Sequence, residues 1–282
     1  MPLSDCYNTF LFDCDGVVWR GLEQVPGASA VLNRLLDLNK NVIFVTNNNT
    51  KTRKSFRESI ERILGISVSN DKLYSSGITA ALYVKSKLQP GEKIFLIGSK
   101  GLSENMDDNG VEYIGYGCDM DASYFTDFLE FMPESNVKFV VAGFDCYLNY
   151  AKMTKAFIYI KECGAEYIAT NLDLTYTVSD TRILPGTGST LAGLTQSLGA
   201  QPTVIGKPST IMFDMISADH SLNDKSKILM VGDNLLTDIQ FGMNSGIDTA
   251  LVLTGVTSKD MLNQKDSAKP TYVLDSITDL LT

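Results

Sequence analysis

Four stretches place acids, a lysine and small polar residues directly after short apolar runs: FLF-DCDG, VIFV-TNNNTK, TVI-GKP and ILMV-GDNLLTD. They contribute Asp13, Asp15, Thr46, Asn47, Lys207, Asp233 and Asp238. If the apolar runs are strands of one parallel sheet, their carboxyl ends bring these residues to one place. Several carboxylates without histidine make hard-cation chemistry. All-oxygen donor sets suit Mg²⁺, which is held by one or two carboxylates and keeps waters and substrate phosphate. Lys207 adds a fixed positive charge, and Thr46 and Asn47 add neutral hydrogen-bond donors. Together they describe a seat for a phosphoryl group. Asp13 and Asp15 need such a setting. Nearby like charges disfavour each other's ionised form, and a charge withdrawn from water needs a partner or a metal. Two residues apart on an extended chain, they are expected to face the same way, with Cys14 turned to the other face.

Each stretch also has a plain structural reading. Asp15-Gly16 is a common turn pair. One of the residues from Thr46 to Thr50 can cap the following helix without losing phosphate binding. Lys207-Pro208 can open a helix with a solvated lysine, and Asp233 and Asp238 can be an N-cap and a surface acid. Two further patterns are decoys. Cys14 to Arg20 has the C-x5-R spacing of cysteine-dependent phosphatases, but the bulky, acidic DGVVW between them does not offer an anion free backbone N–H groups. PGTGSTLAG at Pro185 lacks a third glycine at the nucleotide-binding spacing and a Lys-Ser/Thr pair, so it reads as a hinge and helix start.

The chain holds one histidine, His220, in the polar stretch SADHSLND after an apolar helical pattern. It reads as a helix-end or surface residue. A histidine zinc cluster and a two-histidine phosphate relay are thereby excluded, and a Ser-His-Asp triad would rest on this residue alone.

The elements that must position these residues follow an alternating pattern. NTFLF precedes a helix near Ala28–Leu38, NVIFVT a helix near Lys54–Leu64 stopped by Gly65, and PTVIG a helix near Ser209–Ala218. KILMVG precedes a helix near Leu235–Met243, and TALVL a final helical tail. Near-continuous apolar strands alternating with amphipathic helices predict an α/β fold, a doubly wound parallel sheet covered on both faces. Between the second and third motifs, Gln89-Pro90-Gly91 ends the helix ALYVKSKL. KIFLIG, VKFVVAG, YAKMTKAFIYIKE and EYIAT then form a second α/β unit. The expected organisation is a discontinuous core of residues 1–88 and 201–282 with an inserted domain at 89–200.

The 282 residues are ordinary in composition, 44% hydrophobic and 20% charged. No apolar run approaches the roughly 18 residues of a membrane helix, and the first residues lack a secretory pattern. Five scattered cysteines without CxxC argue against a disulfide framework or structural zinc. A reduced, cytoplasmic protein is expected. The net charge of −9 argues against a nucleic-acid coat. An anionic ligand would need a local positive site.

DCDGV, VTNNNTKTR, GKP and GDNLLTD, in this order, resemble the four motifs of the haloacid dehalogenase-like phosphatases. AGFDCYLNYAKMTKA and ATNLD…PGTGS extend the resemblance into the insert. They are similar to the branch of 4-nitrophenyl phosphatase, phosphoglycolate phosphatase and pyridoxal phosphatase. The resemblance covers the chain from Asn8 to the last helix and implies a Rossmann-like core with an inserted cap. It implies that Asp13 is the nucleophile that becomes an aspartyl phosphate. Asp15 would protonate the leaving oxygen and then activate water. Mg²⁺ would be held by the Asp13 carboxylate, the Asp15 backbone carbonyl and Asp233, with Asp238 orienting a metal water. Thr46, Asn47 and Lys207 would bind the phosphoryl oxygens, and Gly16 would let the backbone approach.

In the same resemblance the insert selects the substrate, and the run TNLDLTYTVSD, residues 170–180, is its specificity loop. The pyridoxal phosphatases carry a histidine near the position of Tyr176, and this chain does not. A small phosphorylated acid such as phosphoglycolate is therefore expected, with 4-nitrophenyl phosphate as an artificial substrate and pyridoxal phosphate as the alternative. Tyr176 either meets substrate or packs between cap and core, and Asp173 shapes the loop. A non-hydrolytic phosphoacceptor is the other class of reading. Asp15 speaks against it, because a long-lived acyl phosphate needs no general base beside its acceptor. Relatives that dimerise through the cap imply a possible homodimer.

Overall fold

In the computed structural model, residues 2–118, 128–179, 182–262 and 268–282 are described. The strands in chain order are β1 (Thr9–Phe12), β2 (Trp19–Arg20), β3 (Glu23–Gln24), β4 (Asn41–Thr46), β5 (Leu73–Ser75), β6 (Lys93–Ile97), β7 (Tyr113–Ile114) and β8 (Val137–Ala142). Then follow β9 (Glu166–Ala169), β10 (Thr175–Ser179), β11 (Arg182–Pro185), β12 (Thr203–Val204), β13 (Ile228–Gly232), β14 (Asp248–Val252) and β15 (Tyr272–Leu274). Contacts divide the chain into two compact units. The first is Met1–Thr46, Arg53–Ser75 and Gly206–Thr282, and the second is Asn47–Thr52 with Ser76–Ile205. Relative to the expected boundaries, the helix Ser76–Lys87, residues 201–205 and the short segment after β4 all group with the second unit.

The first unit holds a six-stranded sheet of order β15-β14-β13-β1-β4-β5, parallel throughout. The chain runs outward from β1 through β4 and β5, then returns to β13 beside β1 and runs the other way. The strand order therefore reverses between β1 and β13, where open α/β sheets bind ligands. Both faces of the central strands are buried, which explains their unbroken apolar runs. On one face Leu11, Ile43, Val45 and Met230 pack with Met212, Phe213 and Ile216 of the helix Ile211–His220. Alternate residues supply other ring contacts: Phe10 stacks on Phe12 with centroids 6.1 Å apart, and Phe12 lies 6.4 Å from Phe44.

The second unit has its own parallel sheet, β12-β9-β8-β6-β7, and an antiparallel β10–β11 hairpin. Its core gathers Phe95, Val140 and Tyr167 from the strands with Tyr159, Leu191 and Leu194 from two helices. Here the structure corrects an expectation. PTVIG is not a strand of the first sheet, because Thr203 and Val204 pair with Ile168 and Ala169 of β9. β5 and β15, unforeseen, complete the first sheet. The expected helix over Leu235–Met243 is a π-turn at Leu235–Ile239 followed by the helix Gln240–Ser245. Among the described residues, no helix is long and apolar enough to cross a membrane.

Candidate active site

Asp13 immediately follows β1, and its backbone N–H donates to Val231 of β13 at 2.9 Å, so it stands at the reversal of the sheet. Asp233 follows β13, and Asp238 lies in the π-turn beyond it. All three acids are buried, and carboxylate oxygens of Asp13, Asp233 and Asp238 lie within 4.8 Å of one another. Lys207 enters this cluster from the loop after β12. Its Nζ is 2.5 Å from Asp13 Oδ1, 2.7 Å from Asp238 Oδ1 and 3.0 Å from the carbonyl of Val45. One ammonium thus ties the ends of β1, β13 and β4 together. Thr46, next to Val45, ends β4 and is buried.

The electrostatics are unbalanced. Burial pushes the Asp13 carboxyl well above its ordinary value; Lys207 opposes this, and Asp238 and Asp233 add to it. Burial and the Asp238 charge push Asp233 up to about 7, against the Val256 N–H and Lys207. Burial disfavours the Lys207 ammonium, but Asp13 and Asp238 outweigh it and hold its pKa above the ordinary value. Three acids share one lysine. The donor set is all oxygen and carries excess negative charge, which fits a hard dication.

The loop after β14 builds the other wall of this site, and its role was not foreseen. Val256 N–H donates to Asp233 Oδ2 at 2.6 Å, and Thr257 N–H donates to the Asp233 carbonyl at 3.1 Å. The Asp233 carboxylate lies against two glycine backbones. A Cβ on Gly255 would stand 1.9 Å from Oδ2, and one on Gly16, whose φ is +87°, would stand 2.6 Å away. Gly16 therefore gives room to a carboxylate. Thr254 Oγ1 bonds the Gly16 carbonyl at 2.7 Å, and the Arg20 guanidinium bonds the Thr254 carbonyl. TALVL-TGVTS repeats the strand-then-polar grammar of the four motifs, and that signal could have found it.

Asp15, two residues on, is exposed and is not one of the buried three-acid cluster. The Cys14 carbonyl accepts from the backbone N–H groups of Val17, Val18 and Trp19 and folds DCDGVVW into a tight turn. Asp15 Oδ1 there accepts a hydrogen bond from Trp19 Nε1 at 2.9 Å. The like charges acting on Asp13 are instead Asp238 and Asp233. Asp238 has further contacts. Besides pairing with Lys207, its Oδ2 accepts from the backbone N–H groups of Asp233 and Asn234, both at 3.1 Å, so it shapes the turn. Cys14 is fully buried and Arg20 is engaged with Thr254, which removes the cysteine-phosphatase decoy. His220 ends its helix, with Nε2 2.7 Å from the Asp71 carbonyl, as expected.

In the second unit, Asn47 and Asp173 are joined. Asn47 Nδ2 lies 3.1 and 3.3 Å from the two Asp173 oxygens, and the Asn47 carbonyl accepts from Asn171 Nδ2 and Ser76 Oγ, both at 2.7 Å. Neither Thr46 nor Asn47 caps the next helix, which begins at Arg53; Asn48 Oδ1 accepts from Thr50 in a local turn. Tyr176, on β10, is 42% exposed and meets the Phe144 ring edge-on at 5.8 Å, so its packing partner is within its own unit. Asp180, the end of the expected specificity loop, lies outside the described residues. The glycines of PGTGS serve close packing: a Cβ on Gly186 or Gly188 would stand 2.3 Å from the carbonyl of Asp173 or Leu172.

A family model described as haloacid dehalogenase-like hydrolase matches residues 10–112, and a second, HAD-hydrolase-like, matches residues 204–280. Phosphoglycolate phosphatase 1A of Arabidopsis thaliana, a chloroplastic protein, is 39% identical over 99% of this chain and 78% of its own length. The 4-nitrophenylphosphatase of Schizosaccharomyces pombe is 36% identical over 98% of this chain and 94% of its own. Among solved structures, glycerol phosphate phosphatase from Mycobacterium tuberculosis in complex with magnesium superposes with a TM-score of 0.82 at 25% identity, covering 100% of this chain and 78% of that one.

Proposed function

The chain belongs to the haloacid dehalogenase-like hydrolase family and is a phosphatase of small substrates; from that premise we propose that it hydrolyses small phosphomonoesters through an aspartyl phosphate on Asp13. The observation that carries this reading is the bridge of Lys207 between Asp13 and Asp238 inside the three-acid cluster. An Asp13 carboxylate oxygen attacks phosphorus. The ester P–O bond breaks, its electron pair goes to the leaving oxygen, and Asp15 gives that oxygen a proton. Asp15 then takes a proton from the water that cleaves the acyl phosphate. Exposure suits Asp15 to this exchange, and burial suits Asp13 to holding one orientation. Lys207 and Thr46 neutralise and hold the phosphoryl oxygens; the family resemblance assigns Asn47 to the same task and Gly16 to backbone approach.

Mg²⁺ fits the donor set. Asp13, Asp233 and the Asp15 backbone carbonyl would hold it, with Asp238 as a supporting acid. When bound, it supplies positive charge against the clustered acids and the phosphoryl group. The second unit is assigned substrate selection, with Asp173 fixing Asn47 and Tyr176 offering a ring and a hydroxyl. A small phosphorylated acid such as phosphoglycolate is the leading substrate; this draws support from the Arabidopsis relative. A reduced compartment such as the cytoplasm is assigned on the five scattered cysteines without CxxC.

The test is hydrolysis of 4-nitrophenyl phosphate with and without Mg²⁺, followed by comparison of kcat/KM across phosphorylated metabolites including phosphoglycolate, glycerol 3-phosphate and pyridoxal phosphate. Asp13→Asn should abolish turnover while the protein stays folded. Turnover retained in that variant overturns the aspartyl-phosphate reading.

A further inference from the structure

Trp19 is the only tryptophan in the chain, and it is buried, 3% exposed. Its indole N–H is nevertheless spent on an exposed carboxylate, Asp15 Oδ1, at 2.9 Å. The geometry is built from both ends. The Trp19 backbone is clasped to the same turn, its carbonyl accepting from Gly16 N–H at 2.7 Å and its N–H donating to the Cys14 carbonyl at 3.2 Å. The ring is set edge-on against Phe56, with centroids 6.4 Å apart at 87°. A ring held by core packing and a backbone held by the turn leave the indole N–H one direction.

We propose that Trp19 is a positioning residue for proton transfer, holding the Asp15 carboxyl in one plane and assigning its transferable proton to Oδ2. This rests on the proposed role of Asp15 as general acid. An indole N–H donates and never accepts. Oδ1 is therefore an acceptor whether Asp15 is charged or neutral, and the acidic proton resides on the other oxygen. In the forward step the ester P–O bond breaks, the proton on Oδ2 passes to the leaving oxygen, and Asp15 is left as carboxylate. In the return step the same oxygen takes a proton from water. Loss of the indole N–H would remove this constraint on which oxygen carries the proton.

A leaving-group comparison separates this from a packing role. An alkoxide is a poor leaving group and needs the proton, whereas 4-nitrophenolate departs with little help. Trp19→Phe keeps a smaller ring against Phe56 and removes the donor. It should lower kcat/KM for glycerol 3-phosphate by about tenfold or more, a share of the 10²–10⁴ typical of general acids, and change 4-nitrophenyl phosphate less than about threefold. Inhibition by inorganic phosphate should be unchanged. Phe56→Leu, which loosens the ring and leaves the donor, should lower thermal stability without the leaving-group dependence. Equal losses on both esters in Trp19→Phe, or no loss on either, overturn the proposal. Asp15→Ala is measured in parallel. If it too fails to discriminate the esters, the general-acid reading of Asp15 fails first.

Discussion

Lys207 and Asp238 form an ion pair at 2.7 Å whose two side chains are each only 2% exposed. The same Nζ holds Asp13 at 2.5 Å. Removing the ammonium takes away the lysine that pairs with two of three neighbouring buried carboxylates. Lys207→Met should therefore abolish phosphatase activity and lower the stability of the metal-free protein by about 3–5 kcal/mol, the usual cost of breaking a buried pair. Denaturant unfolding in chelator measures this. The deficit should shrink at acidic pH, where the acids become neutral. A Lys207→Met protein as stable as the parent at neutral pH refutes the assignment.

The acids predict their own pH dependence. Burial and neighbouring charge raise Asp13, and they raise Asp233 to about 7. In the unfolded chain a carboxyl titrates near about 4. Between these values the folded state holds more protons than the unfolded one, so stability falls as pH rises. Lys207 does not oppose this, since its raised pKa keeps it charged in both states throughout the window. The melting temperature of metal-free protein should therefore decline as pH rises from about 4 through about 7. Saturating Mg²⁺ should flatten or reverse the decline, because it favours the ionised acids. A metal-free melting temperature that rises through this window contradicts the placement of the acids.

Gly255 should be unable to carry a side chain. Its Cβ would lie 1.9 Å from Asp233 Oδ2 and 2.4 Å from the carboxyl carbon, so the acid or the loop must move. The loop is tied to Asp233 through Val256 and Thr257, which leaves the carboxylate little alternative. Gly255→Ala should weaken activation by Mg²⁺ about 10–100-fold, the range for loss of a supporting contact around a metal ligand. A Mg²⁺ titration of activity, with calorimetric Mg²⁺ binding beside it, reads the effect. Unchanged Mg²⁺ affinity would show that Asp233 is not a ligand.

The parts of the fold written in sequence are those where a long apolar run meets a polar end. β1, β4 and β13 are of this kind, and so are Asp13, Thr46 and Asp233. Strands of two or three residues carry no readable period, which is why β5 and β15 were missed and β12 was given to the wrong sheet. The turn after Asp13 had no period to announce it: three N–H groups converge on the Cys14 carbonyl, a contact that spacing alone does not reveal. The partnership of Asn47 with Asp173 spans 126 residues and has no local signature.

That partnership is testable by coupling. Asn47 reaches Asp173 through its amide and accepts from Asn171 and Ser76 through its carbonyl. If Asp173 acts through Asn47, Asn47→Ala and Asp173→Ala should each lower kcat/KM, and the double variant should be little worse than either. The expected interaction energy is about 0.5–3 kcal/mol, as for residues in direct contact. Additive losses on a small phosphomonoester would mean that Asp173 acts separately.

The second unit carries a buried ion pair of its own. Lys152 and Asp145 meet at 2.7 Å with side chains 0% and 1% exposed, and Lys152 also donates to the Gly117 carbonyl. Asp145 Oδ1 accepts from Tyr147 N–H at 2.8 Å, so the pair fixes the turn between β8 and the helix Tyr150–Lys161. Phe144, the ring against Tyr176, is in that turn, and its N–H donates to Asn49 Oδ1 at 2.9 Å. Lys152→Met strands a buried carboxylate and should cost about 3–5 kcal/mol. The double change Asp145→Leu with Lys152→Met removes both charges and should recover most of that stability, since apolar replacement of a buried pair is often neutral. It also removes the acceptor for Tyr147 N–H and should leave Phe144 less well placed. KM for the preferred phosphomonoester should then rise while kcat changes less. Equal stability of the single and double variants in denaturant unfolding would show that the two charges do not interact as the structure places them.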